Sequence, residues 1–179
     1  MIPRSPNPQE KRLLLFALGL GMVEYREGTI VSLEADIIVN AANTELIHSG
    51  GVARAIAQAA GDALERESRA IRFVPLEKFA LTSAGNLRAK EVLHIPTIDY
   101  RAGGTRISYD ILEKVWREAL SYAKGKGYRS VATPLLGTGV VGLSSERVRE
   151  ILARVAEEFP ELKIIIVSRE NPSSATQGR

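Results

Sequence analysis

The chain has 179 residues, 45% hydrophobic and 25% charged, with a formal net charge of +3 and no cysteine. This is the composition of one ordinary globular domain, and it excludes disordered, collagen-like and coiled-coil chains. Disulfides, thiolate nucleophiles, zinc ribbons and iron–sulfur clusters drop out with the cysteines. With only two histidines, His48 and His94, no metal site and no cofactor are expected.

Residues 1–10 carry three prolines and are expected to form a flexible arm. Residues 13–23 are apolar or glycine throughout and follow Lys11 and Arg12, as a secretory signal would. The run is too short to span a bilayer, which takes about 20 residues. Glu24, Tyr25 and Arg26 stand where a cleavage site would need small residues. The expectation is a strand over 13–17 or a buried hairpin, kinked at Gly19 and Gly21, in a cytoplasmic protein with no membrane partner.

Further strands are expected over 22–26, 36–40, 79–82, 92–98, 130–134 and 163–167. Ile37-Ile38-Val39 and Ile164-Ile165-Ile166-Val167 are continuous β-branched runs, the pattern of strands covered on both faces. Helices are expected over 52–60, restarting beyond Gly61 to about 72, over 108–124 with Gly125 as its stop, and over 144–159 with Ser144 or Ser145 as cap. Strands alternating with helices at this spacing predict an α/β fold of three layers, α/β/α, around a mixed sheet of six or seven strands with a largely parallel centre. One domain spans 11–170, and 171–179 reads as a flexible tail.

Two strand-to-helix junctions carry chemistry. In the first, Asn40-Ala41-Ala42-Asn43 is followed by Gly50-Gly51-Val52 at the start of a helix, placing amide side chains beside free backbone N–H groups. In the second, Pro134 leads into Leu135-Leu136-Gly137-Thr138-Gly139-Val140-Val141-Gly142. Glycines there let the backbone approach a ligand closely, and successive N–H groups make an anion cradle. The spacing of Gly137, Gly139 and Gly142 also fits a dinucleotide-binding loop. Val167, however, stands near where a ribose-binding acid would be needed, and no Gly-Lys-Ser/Thr follows to make a P-loop.

Taken together and in order, these junctions resemble the macrodomain family, the modules that bind ADP-ribose. Thr82-Ser83-Ala84-Gly85-Asn86, with Val92-Leu93-His94 after it, extends the likeness, which covers nearly the whole ordered chain. The resemblance implies that Asn40 braces the first loop while Asn43 bonds the distal ribose near the reacting carbon. It implies that the backbone of Ser49, Gly50, Gly51 and Val52 wraps that ribose and one phosphate. Gly137, Thr138, Gly139 and Val140 would clamp the diphosphate from the other side, Thr138 offering a hydroxyl and Val140 an N–H. Thr29, Ile30 and Val141 complete the implied ligand-binding set.

The chain also departs from the family pattern. Thr29 stands where an Asp usually accepts from the adenine amino group, and Val141 where an aromatic usually covers the sugar–phosphate. Ser168 or Arg169 stands where an aromatic often stacks on adenine, and the Arg169 guanidinium offers a stack in its place. Ala53 and Arg54 follow Gly-Gly-Val where the hydrolytic branch often has Asp, so no carboxylate is available as base there. Asn43 and His48 are the catalytic candidates, His48 because an imidazole with pKa near 6.5 suits proton transfer. His94 lies within a strand and reads as a satisfied core residue.

The expected function is binding of ADP-ribose or its derivatives, with hydrolysis at the distal ribose of a mono-ADP-ribosyl ester, O-acetyl-ADP-ribose or ADP-ribose 1''-phosphate. ADP-ribosylated proteins are the expected partners. The alternatives are a non-catalytic reader of such partners and, on the strength of a pI of 9.3, an RNA-binding module. The lack of a basic stripe with interleaved aromatics argues against nucleic acid.

Overall fold

A computed structural model describes residues 4–7, 10, 13, 14, 17, 18 and 22–169. In chain order the elements are β1 (Met22–Glu27), β2 (Ile37–Asn43), α1 (Gly51–Ala60), α2 (Asp62–Ile71), β3 (Ala80–Ser83), β4 (Glu91–Asp99), β5 (Thr105–Arg106), α3 (Tyr109–Gly125), β6 (Ser130–Pro134), α4 (Ser145–Ala156) and β7 (Lys163–Ser168). Single 3-10 turns occupy Ile30–Ser32 and Tyr100–Ala102. The sheet order is β1-β7-β6-β2-β4-β3, with β5 paired to β4. Every pairing from β1 across to β4 is parallel, and β3 and β5 add to β4 antiparallel. This is the mixed seven-stranded sheet between helical layers that the alternation predicts.

The alternating side chains of each strand explain the unbroken apolar runs. Ile37, Val39, Ile164 and Ile166 face α3 and α4, packing with Leu112, Trp116 and Leu152. Their neighbours Ile38, Ile165 and Val167 face the opposite way, onto Ile56 and Ala60 of α1 and Leu64 of α2. Trp116 is fully buried, and its indole N–H donates to the Leu152 carbonyl at 3.1 Å, tying α3 to α4 with the donor satisfied.

Several boundaries differ from the sequence reading. The expected strand over 13–17 is overturned: Leu13, Leu14 and Ala17 are helical, and Leu18 N–H donates to the Leu14 carbonyl at 2.9 Å. A reciprocal cap starts this turn, with Glu10 N–H donating to Asn7 Oδ1 at 2.8 Å and Asn7 N–H to Glu10 Oε2 at 3.0 Å. Leu13, Leu14 and Leu18 are exposed, not buried. Gly19, Gly21 and the tail at 171–179 lie outside the described residues. Gly125 does not stop α3 but is its last residue, Lys126 being the C-cap. β2 runs past Asn40 to Asn43 because its parallel pairing with β4 continues, with a register shift between Ala42 and Asn43. Among the described residues no helix is long and apolar enough to cross a membrane.

Candidate functional site

A parallel sheet ends in a row of C-terminal strand ends, and ligands of such folds sit beyond that row. Here Glu27 of β1, Ser168 of β7, Pro134 of β6, Asn43 of β2 and Ile98 of β4 border a single cavity of about 1020 Å³. A smaller hollow of about 620 Å³ is lined by residues at the opposite strand ends. Its charged groups are largely paired, Lys90 with Asp36 at 3.2 Å and Lys163 with Glu24 at 3.3 Å.

The two glycine junctions face each other across the large cavity. Thr29, Ile30, Asn43, Ser49, Gly50, Gly51, Val52, Gly137, Thr138, Gly139, Val140 and Val141 all line it. α3 and α4 are capped by serine side chains, Ser108 accepting from Ile111 N–H and Ser144 from Arg147 N–H. α1 begins at Gly50 with no side-chain cap, so its first amides are left to whatever enters the cleft.

The late loop turns at Gly137, where φ is +73° and Leu143 N–H donates to the Gly137 carbonyl at 2.8 Å. Gly142 N–H closes back on the Gly139 carbonyl at 3.0 Å. The N–H groups of Gly139, Val140 and Val141 have no hydrogen-bond partner among the described residues. Val140 projects into solvent, 85% exposed, while Val141 is buried beneath the loop. The Thr138 hydroxyl is not a free donor, because it already donates to the Leu135 carbonyl at 2.7 Å. Only its acceptor capacity remains for a ligand.

Asn43 lies at the cleft wall with its amide engaged. Nδ2 donates to the Ile47 carbonyl at 2.8 Å, and Oδ1 accepts Ile47 N–H at 3.0 Å. The side chain thus sets the shape of the loop leading to Gly50, while keeping one N–H and one lone pair for other partners.

Asn40 and His48, both expected at the site, do not reach the cavity. Asn40 is fully buried and His48 nearly so. The Asn40 amide nitrogen lies 3.0 Å from His94 Nδ1 and 3.4 Å from His48 Nδ1, and as a donor it makes both ring nitrogens acceptors. Each imidazole then carries its proton on Nε2, which donates to Thr82 Oγ1 from His94 at 2.9 Å and to Ser68 Oγ from His48 at 3.0 Å. The two rings stack with centroids 5.2 Å apart. Burial, with the neighbouring His48 adding to it, holds the His94 pKa down to about 3. Burial also lowers that of His48, Glu65 opposing the shift. His48 is therefore corrected from a water-orienting group to a brace behind the cleft wall, where both nitrogens are spent.

The sequence reading missed Glu27, Arg149 and Tyr100 among the lining residues. Tyr100 and Glu27 sit at strand ends, so the end-of-strand rule alone would have raised them. Arg149 lies on α4 with its guanidinium 5.4 Å from the Tyr25 ring centroid. Among the described residues no group of three or more acidic or histidine side chains is placed to hold a metal.

Known proteins resemble this chain in sequence and in fold. The Macro domain family model matches residues 39–152. An O-acetyl-ADP-ribose deacetylase of Salmonella newport is 38% identical, the match covering 74% of this chain and 76% of that protein. A Macro domain-containing protein of Caldanaerobacter subterraneus subsp. tengcongensis is 37% identical over 75% of this chain and 79% of its own. Among solved structures, a Trypanosoma brucei macrodomain in complex with ADP-ribose superposes with a TM-score of 0.73 at 28% identity, covering 86% of this chain and 66% of that one.

Proposed function

The chain belongs to the Macro domain family, and from that premise we propose that its cleft binds ADP-ribose and hydrolyses an ADP-ribosyl derivative at the distal ribose. One observation carries the binding half. Two facing glycine loops present unpartnered backbone N–H groups, from Gly139 to Val141 on one side and the uncapped start of α1 on the other. A diphosphate supplies acceptors to both sides at once, and N–H groups already fixed by the fold lose little freedom on binding it. Relatives that act as O-acetyl-ADP-ribose deacetylase and a neighbour with ADP-ribose bound support the same reading.

The hydrolytic half draws on what lies near Asn43. The carboxylate in the lining, Glu27, ends β1, three strands away from β2 in the sheet and so about 14 Å across it. His48 is turned away, and Ala53 brings no acid. The attacking water is therefore held by the loop backbone, the free N–H of Asn43 and the ligand's own phosphate, which serves as base. For an acetyl ester, water adds to the carbonyl, the ribose hydroxyl leaves with a proton, and acetate is released.

The scarcity of side-chain bases beside Asn43 favours one second reading, a non-catalytic reader of ADP-ribosylated proteins. Calorimetric titration with ADP-ribose, AMP and ribose 5-phosphate, alongside an acetate-release assay on O-acetyl-ADP-ribose, separates the cases. Tightest binding of ADP-ribose with acetate release supports the proposal, and binding without release over hours leaves the reader. No preference for ADP-ribose over its fragments refutes both. A cytoplasmic location, expected from the sequence, stays part of this proposal.

A further inference from the structure

We infer that Arg169, one residue beyond β7, is a cationic clamp that closes on the ligand's diphosphate between the two glycine loops; the inference rests on the ADP-ribose reading above. A side-chain carbon placed at Gly51 would lie 3.3 Å from Arg169 Nη2, and one placed at Gly139 would lie 3.6 Å from the same nitrogen. A single guanidinium nitrogen thus stands against both halves of the anion cradle. The other charged residues lining the cavity are Glu27 and Arg149, and Arg149 is turned onto the Tyr25 ring. Arg169 has no hydrogen bond or ion pair among the described residues, and its side chain is solvent-accessible.

A guanidinium that has no partner among the described residues and stands beside Gly51 and Gly139 at once repels cations and suits an anion held between the two loops. Its planar fork of donors matches two phosphate oxygens at once. With glycine at positions 51 and 139, no side chain stands between that guanidinium nitrogen and either loop.

The test compares the full-length wild type with Arg169→Met and Arg169→Lys by calorimetry, using ADP-ribose, inorganic pyrophosphate and adenosine as probes. Charge-assisted hydrogen bonds of the usual strength predict a loss of about 10- to 100-fold for ADP-ribose in Arg169→Met. A parallel loss is expected for pyrophosphate, with partial recovery in Arg169→Lys and adenosine unaffected. Equal losses for adenosine and ADP-ribose would show a stacking residue and overturn the clamp. Unchanged or tighter ADP-ribose binding in Arg169→Met would also overturn it, showing a side chain that merely covers the empty cleft. Should the wild type hold pyrophosphate through Arg169 but not ADP-ribose, the clamp stands and the functional proposal falls. Binding of neither by the wild type removes both.

Discussion

Asn43 and Ile47 are joined in both directions, the Asn43 amide donating to the Ile47 carbonyl at 2.8 Å while its oxygen accepts the Ile47 N–H at 3.0 Å. The side chain that the family pattern puts beside the reacting ribose is therefore also the strut of the loop that delivers Gly50 and Gly51 to the cleft. Under the proposed function, chemistry and architecture share this one residue.

Replacing Asn43 by Ala removes both bonds, each with a net worth of about 0.5–1.5 kcal/mol. The loop loosens, and ADP-ribose affinity is expected to fall about 5- to 100-fold together with any hydrolytic rate. Calorimetry and single-turnover kinetics on the variant check this. A rate that collapses while the dissociation constant stays put would make Asn43 a purely chemical group.

The late loop separates two kinds of glycine. A Cβ at Gly139 meets only the Arg169 guanidinium at 3.6 Å, so Gly139→Val should fold with a Tm within about 2 °C of wild type while ADP-ribose affinity falls at least about 10-fold. At Gly137 the positive φ of +73° and a Leu143 carbon 2.8 Å from the new Cβ make Gly137→Ala costly, about 1–3 kcal/mol in urea unfolding. Equal stability for the two variants would contradict the loop geometry.

At Gly85 the φ is +55°, and a Cβ would sit 2.1 Å from the Ala60 carbonyl oxygen, in the turn that joins the end of α1 to the loop after β3. Backbone cannot swing aside as a side chain can. Gly85→Ala should destabilise the fold by about 3 kcal/mol or more. A thermal melt indistinguishable from wild type would show that this turn relaxes freely.

The buried histidine pair predicts a pH dependence of definite sign. His94 is neutral in the folded protein down to about pH 3, whereas in the unfolded chain it takes up a proton near pH 6.5. The unfolded state then binds more protons below pH 6.5, so stability falls as the pH drops through that value. The loss from His94 is about 2 kcal/mol between pH 6.5 and 5, and His48, shifted in the same direction, adds to it. Asp36 has its carboxyl held below the usual range by the Arg129 N–H and Lys90 despite its burial, and its contribution is lost only at more acidic pH, below about 4. Urea unfolding at pH 7 and pH 5 checks the window, and a flat or rising stability across it would contradict neutral buried imidazoles.

What the sequence made legible follows how local each signal is. Ile164-Ile165-Ile166-Val167 declared a strand covered on both faces, and the structure divides the run between the two helical layers. The Asn7…Glu10 cap is equally local, but the prolines around it mark residues 1–10 as a flexible arm, and the apolar run that follows reads as a strand on its hydrophobic count. Asn40 reads as the end of a strand bracing the loop after it, because nothing nearby in the sequence explains a buried amide. Its partners are His94, 54 positions away, and His48, and only the tertiary fold brings them together. The direction of the Thr138 hydroxyl and the reach of Arg169 across two loops depend on rotamers, which no spacing encodes. The two-residue β5 is too short to leave a pattern at all.

In the proposed complex a diphosphate is held by main-chain amides from both loops. Backbone amide chemical-shift mapping by NMR during titration with ADP-ribose tests it most directly. The expected result is large, saturable shifts at Gly51, Val52, Gly139, Val140 and Val141, with the amides around Asp36 and Lys90 at the other end of the sheet unmoved. Shifts confined to one loop, or centred on that opposite end, would contradict it.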